Sequence, residues 1–85
     1  MTSVGVQFNG NLGPNETKSW FTFNWPAQWH VVWYMMPTSP QPGAPQIEWD
    51  VSVERASPTN ITYWITVKNN TSSNVNFEGR YAVLN

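Results

Sequence analysis

Gln46-Ile47-Glu48-Trp49-Asp50-Val51-Ser52-Val53-Glu54 sets an apolar residue at every second position and a polar one between. Two is the period of an extended strand, whose successive side chains point to opposite faces. Ile47, Trp49, Val51 and Val53 share one face, and Gln46, Glu48, Asp50, Ser52 and Glu54 share the other. Such a strand belongs to an antiparallel sheet with one face on a core and the other in water. On this reading Trp49 is buried.

The same alternation recurs on the C-terminal side. Ile61, Tyr63, Ile65 and Val67 lie on one face of a second strand. Val75, Phe77, Tyr81 and Val83 lie on one face of a third, with Gly79 in the same row. The N-terminal half is less regular. Val4, Val6 and Phe8 alternate, as do Phe21, Phe23 and Trp25, with Trp20 on the opposite side. His30 to Met36 is apolar on both faces, which suits a central strand covered on both sides, or a strand with one core face and one subunit contact.

Turn chemistry separates the runs. Asn9-Gly10-Asn11 and Gly13-Pro14-Asn15 interrupt the first two, and Pro26 and Pro37 stop the second and third. Pro37 to Pro45 holds four prolines and Gly43, so it is an extended loop, since proline donates no ladder hydrogen bond. Ser57-Pro58-Thr59-Asn60 and Asn69 to Asn74 separate the last three strands. The expectation is an all-β, antiparallel β-sandwich of about six strands with immunoglobulin-like character. A small closed barrel is the alternative.

Eighty-five residues make one domain, spanning 1–85. There is no cysteine to form a bridge or a thiolate site, and the lone histidine, His30, excludes a Cys/His zinc site. No cofactor is expected. Stability must come from packing, or from packing plus self-association. The packing material is aromatic: six Trp, four Phe and three Tyr. Four Lys/Arg against five Asp/Glu, all scattered, form no basic stripe for nucleic acid and no polybasic patch for an anionic membrane. The longest apolar run, Val31 to Met36, is far short of the ~20 residues of a spanning helix. The start of the chain, Met1 to Val4, has neither the charged nor the apolar region of a secretion signal. An extracellular location is therefore expected only if the chain is cut from a longer one.

The segment Asn60 to Leu84, NITYWITVKNNTSSNVNFEGRYAVL, resembles bacterial immunoglobulin-like modules of the CARDB type. There a strand of the form T-Y-x-I-T-V-x-N precedes a polar turn and a last strand. The matching residues here are Thr62, Tyr63, Ile65, Thr66, Val67 and Asn69. The resemblance covers less than a third of the chain, and it implies a non-catalytic extracellular adhesive or spacer domain.

Catalytic chemistry has little to build on. A triad would need a serine and an acid beside His30, and no G-x-S-x-G elbow is present. Glu48 and Asp50, two apart on one strand, stand roughly 6.5–7 Å from each other. That touches the separation used by inverting glycosidases, but their face reads as solvated, and such an acid needs burial to raise its pKa. No calcium loop is present. Four Asn-x-Ser/Thr sequons begin at Asn15, Asn60, Asn69 and Asn70, a mild excess that turn-forming Asn and strand-forming Thr explain.

The tryptophans carry the functional expectation. Trp20 and Trp64 fall on the outward faces of their strands, and Trp25 and Trp29 bracket the short loop Pro26-Ala27-Gln28. Exposed indoles mark contact surfaces. Flat rings stack on the apolar faces of sugars while polar neighbours bind the hydroxyls. The expected ligand-binding set is Trp20, Trp25, Trp29, Trp64, Asn24, Gln28, Asp50 and Arg80, with a glycan as ligand and no catalytic residue. The alternative is a homo-oligomer that buries the Trp-rich face.

Overall fold

In the computed structural model, which describes residues 3–85, the chain forms six strands and no helix. They are β1 (Ser3–Leu12), β2 (Thr17–Pro26), β3 (Val31–Pro37), β4 (Ile47–Arg55), β5 (Asn60–Asn69) and β6 (Val75–Val83). Met1 and Thr2, where the reading of a missing secretion signal begins, lie outside the described residues. The strands make two three-stranded sheets, ordered β1-β6-β3 and β2-β5-β4, with every pairing antiparallel. Two separate sheets make a sandwich and not a closed barrel. Six strands in all is one fewer than the seven of a constant-type immunoglobulin domain.

The core fills the space between the sheets, and the period-two rows of the central strands supply most of it. Ile61, Tyr63, Ile65 and Val67 of β5 face Val75, Phe77 and Val83 of β6, all buried. Leu12, Trp25, Trp33, Met35 and Ile47 complete the cluster. One long side is closed by aromatic rings. Phe8 stacks on Trp20 at 5.6 Å, and Phe77 meets Trp20 edge-on at 5.2 Å. This close packing needs glycine opposite each ring. A Cβ at Gly10 would collide with Phe77, and one at Gly79 with Phe8, each glycine being the cross-strand partner of the ring that covers it.

Two bulges overturn the expected faces of the N-terminal half. Between Val6 and Phe8 the β1–β6 register slips by one residue. Val4 and Val6 therefore face outward while Phe8 faces the core. Between Thr22 and Trp25 the β2–β5 register slips likewise, with Asn24 at φ 65°. Phe21 and Phe23 consequently point to solvent and Trp25 points inward, although all three were expected on one face. One extra residue inverts every side chain beyond it. Asparagine suits the position because it tolerates positive φ better than most residues.

Two further expectations are corrected. β3 is an edge strand of its sheet and not a central one covered on both sides; as in the alternative reading it has one core face, with Trp33 and Met35 inward and Val32, Tyr34 and Met36 exposed on the outer side. Trp49 is 36% exposed, on a strand that is also an edge of its sheet.

Asn69 ties two turns together at one end of the sandwich. Its side chain is fully buried. Nδ2 donates to the carbonyls of Gly13 (2.9 Å) and Ser73 (2.7 Å), and Oδ1 accepts from the N–H and hydroxyl of Thr71 at 2.9 and 2.8 Å. The sequon that begins at Asn69 is thus closed to glycosylation in the folded chain. At the other end Asn85 holds the β2–β3 turn, its Oδ1 accepting the His30 N–H at 2.7 Å and its Nδ2 donating to the Gln28 carbonyl at 3.3 Å. His30 Nδ1 also pairs with Asn85 Oδ1, at 3.0 Å.

Candidate functional site

The outer face of the β2-β5-β4 sheet carries an exposed aromatic cluster built from neighbouring strands. Phe21 on β2 is the cross-strand partner of Trp64 on β5, so their side chains rise from the same face. Their rings stack with centroids 5.0 Å apart and planes 29° from parallel. Phe23, turned outward by the bulge, lies 6.1 Å from Phe21. Phe21 and Trp64 are 58% and 44% exposed. The indole N–H of Trp64 donates to Glu54 Oε1 at 2.8 Å, which fixes the ring's orientation.

Beyond the rings the same face turns polar. Thr66, two residues past Trp64, shares a hydrogen bond of 2.9 Å with Ser19. Thr66 is also the cross-strand partner of Asp50. Thr17, Glu48, Trp49, Asp50, Thr66 and Lys68 line an open depression of about 300 Å³. Lys68 lies 4.0 Å from Glu48, with both side chains at least half exposed, so the pair adds little stability. Period two brings this about: Glu48, Asp50 and Ser52 stand in register with Lys68, Thr66 and Trp64 on the adjoining strand. The face thus combines apolar rings at one end with carboxylates, hydroxyls and an ammonium at the other.

The eight residues expected to bind ligand do not converge. Trp64 and Asp50 share the face just described. Trp29 is exposed in the β2–β3 turn, edge-on to Trp25 at 6.2 Å, and Gln28 beside it is exposed too. Asn24 is exposed on the bulge. Trp25 is 8% exposed, packed against Trp33 and Tyr81, with its N–H given to Thr22 Oγ1 at 3.0 Å. Trp20 is half-buried between Phe8 and Phe77. These two indoles are core, so the expectation that they lie at the surface is corrected; the bulge after Thr22 is the cause for Trp25. Arg80 sits on the outer face of the other sheet, where Nε and a terminal nitrogen both donate to Glu78 Oε1, at 3.0 and 2.8 Å. This pairing raises the pKa of Arg80.

Phe21, Phe23 and Thr66 belong to the site and were missed by sequence reasoning. Strict alternation set the two phenylalanines in one row with Trp25, and the one local signal against it was a polar Asn24 set between Phe23 and Trp25. His30 is exposed and meets Asn85 rather than a serine and an acid. Among the described residues, no group of three or more His, Asp or Glu side chains could hold a metal ion.

No family model, no curated protein and no solved structure matches this chain.

Proposed function

We propose that the protein is a non-catalytic binding module that recognises carbohydrate on the outer face of its β2-β5-β4 sheet. The observation that carries this reading is the exposed Phe21–Trp64 pair set beside a polar depression on one continuous face. The rings offer apolar surface to a sugar's C–H face. Asp50, Glu48 and Thr66 offer acceptors and a hydroxyl within reach of the same ligand. The indole N–H is already given to Glu54, so Trp64 contributes stacking and shape while the polar groups contribute orientation. Glu48 and Asp50 stand in the open face, which favours binding over general acid–base work.

The test is an NMR and Trp-fluorescence titration against a panel of soluble oligosaccharides. Shifts should centre on the Trp64 indole and the amides of Phe21, Thr66 and Asp50. Trp64→Ala should weaken binding by about tenfold, the size of one lost stacking contact. A flat response across the panel, or binding that survives Trp64→Ala intact, would end the reading.

A second reading has its own support on the opposite sheet. Val4, Val6, Val32, Tyr34 and Met36 are all exposed on the outer face of β1-β6-β3, around the Arg80–Glu78 pair. Contiguous apolar surface of this kind marks a protein contact, and a second copy of the chain is the occupant we put forward. Light scattering decides it: a monomer across the micromolar range removes this reading and leaves the first untouched.

A further inference from the structure

We propose that the free edge of β4 accepts an added strand, supplied by an extended segment of a partner protein in which apolar residues alternate with lysine or arginine. This surface shares Glu48 and Asp50 with the face proposed for sugar but not the stacking rings, and it does not rest on that reading.

The four edge strands of the sandwich are not alike. β1 and β2 are each broken by a bulge, and bulges blunt an edge against pairing. β3 is short, ends at Pro37 and turns its inward row into the core. β4 runs nine residues with no proline and pairs with β5 from Ile47 to Arg55 without a register shift. Among the described residues no strand is hydrogen-bonded to its other edge, so alternate N–H and C=O groups point outward along its length.

Side chains set the chemistry of what can add there. On the inward side Trp49, Val51 and Val53 remain exposed, Val53 at 64%. An added strand would continue this row with apolar residues at every second position and bury it. On the outward side β4 carries Glu48, Asp50, Ser52 and Glu54. Opposite charges facing each other across paired strands stabilise, and like charges destabilise. The intervening residues of the added strand are therefore basic.

The same row argues against a second copy as the occupant. In antiparallel self-pairing of β4 centred on any residue from Asp50 to Ser52, at least one acid of the set Glu48, Asp50 and Glu54 meets another. Strand addition draws affinity from the backbone and specificity from alternate side chains, which is what this edge offers.

The experiment uses the whole chain, isotopically labelled, and a capped nonapeptide of alternating Lys and Val as probe. Two control peptides are a block-ordered one of identical composition and an alternating Glu/Val one. The expected result is a shift and slowed hydrogen exchange at every second amide of β4, with the amides of Phe21 and Phe23 unmoved. The Glu/Val peptide should bind at least about tenfold more weakly. Asp50→Lys should narrow or reverse that preference. Val53→Lys, at a solvent-exposed position, should abolish binding of the Lys/Val peptide. Equal binding of the block-ordered peptide would overturn the proposal, as would shifts centred on another surface, protection of the outward-pointing β4 amides in the absence of peptide, or no response at millimolar peptide. Each of these outcomes leaves the carbohydrate titration standing on its own result.

Discussion

β4 and β5 carry nearly the same pattern and meet opposite fates. Each sets large apolar residues at every second position, and the two rows lie side by side in register on one face of one sheet. On β5, Ile61, Tyr63, Ile65 and Val67 are all buried, whereas on β4, Trp49, Val51 and Val53 are all partly in water. The difference is position. β5 is central, with a strand on each side and the other sheet above it. β4 is an edge, with a paired strand on one side only. Periodicity tells which way a side chain points; how many neighbours it finds there depends on where the strand sits. The row of central β5 becomes core, while the row of edge β4 beyond the buried Ile47 stays open to contact.

The sharpest challenge to this contrast is a pair of truncations. Phe77→Ala, in the deepest part of the core and 1% exposed, should lower stability by about 3–5 kcal/mol in urea unfolding. Val53→Ala, on the edge row, should cost well under about 1 kcal/mol, because most of its surface never leaves water. Similar costs at the two positions would break the comparison, and would mean that β4 is covered in solution.

Asn69 sharpens it from the polar side. It ends the buried row of β5 opposite Ile47 of β4. Asn69→Ala strands the carbonyls of Gly13 and Ser73 and frees Thr71, and should cost about 2–3 kcal/mol in the same unfolding measurement. Asn69→Asp should also destabilise, since an acceptor would replace the donating amide.

The smallest effect lies in the turn that Asn69 braces. The Gly13 N–H donates to Glu16 Oε1 at 2.7 Å, and this bond, assisted by Lys18, holds the Glu16 pKa below its ordinary 4.5. A carboxylate whose pKa is lowered on folding contributes stability at neutral pH. The contribution is lost as pH falls from about 4.5 through the lower folded value. Unfolding midpoints compared from pH 7 to pH 3 should show the native chain losing its small advantage over Glu16→Gln at the acid end. An advantage that grows in acid would contradict the assignment.

Much of the architecture was readable from the chain. Six strands, their antiparallel pairing and the inward rows of β5 and β6 follow from alternation and from the turns at Gly13-Pro14-Asn15, Ser57-Pro58-Thr59 and Asn69 to Asn74. Half the candidate site was not. Trp64 was expected outside because its neighbours Thr62 and Thr66 are polar, and it is outside. Phe21, Phe23 and Trp25 were assigned as one row, and a single inserted residue divides them. A bulge leaves almost no trace in composition, since any polar residue that tolerates positive φ can occupy it.

Local pattern alone therefore determined that this chain extends, where it turns and which residues of its regular strands share a face. The alternation of large apolar and polar side chains admits no other regular conformation that separates them from each other. Which strands would be central and which would be edges, and where two registers slip, was decided only by the assembled sandwich. Those outcomes depend on how two twisted sheets close around bulky rings, with Phe8 laid over Gly79 and Phe77 over Gly10. Such contacts join residues about 70 positions apart, beyond the reach of any local pattern.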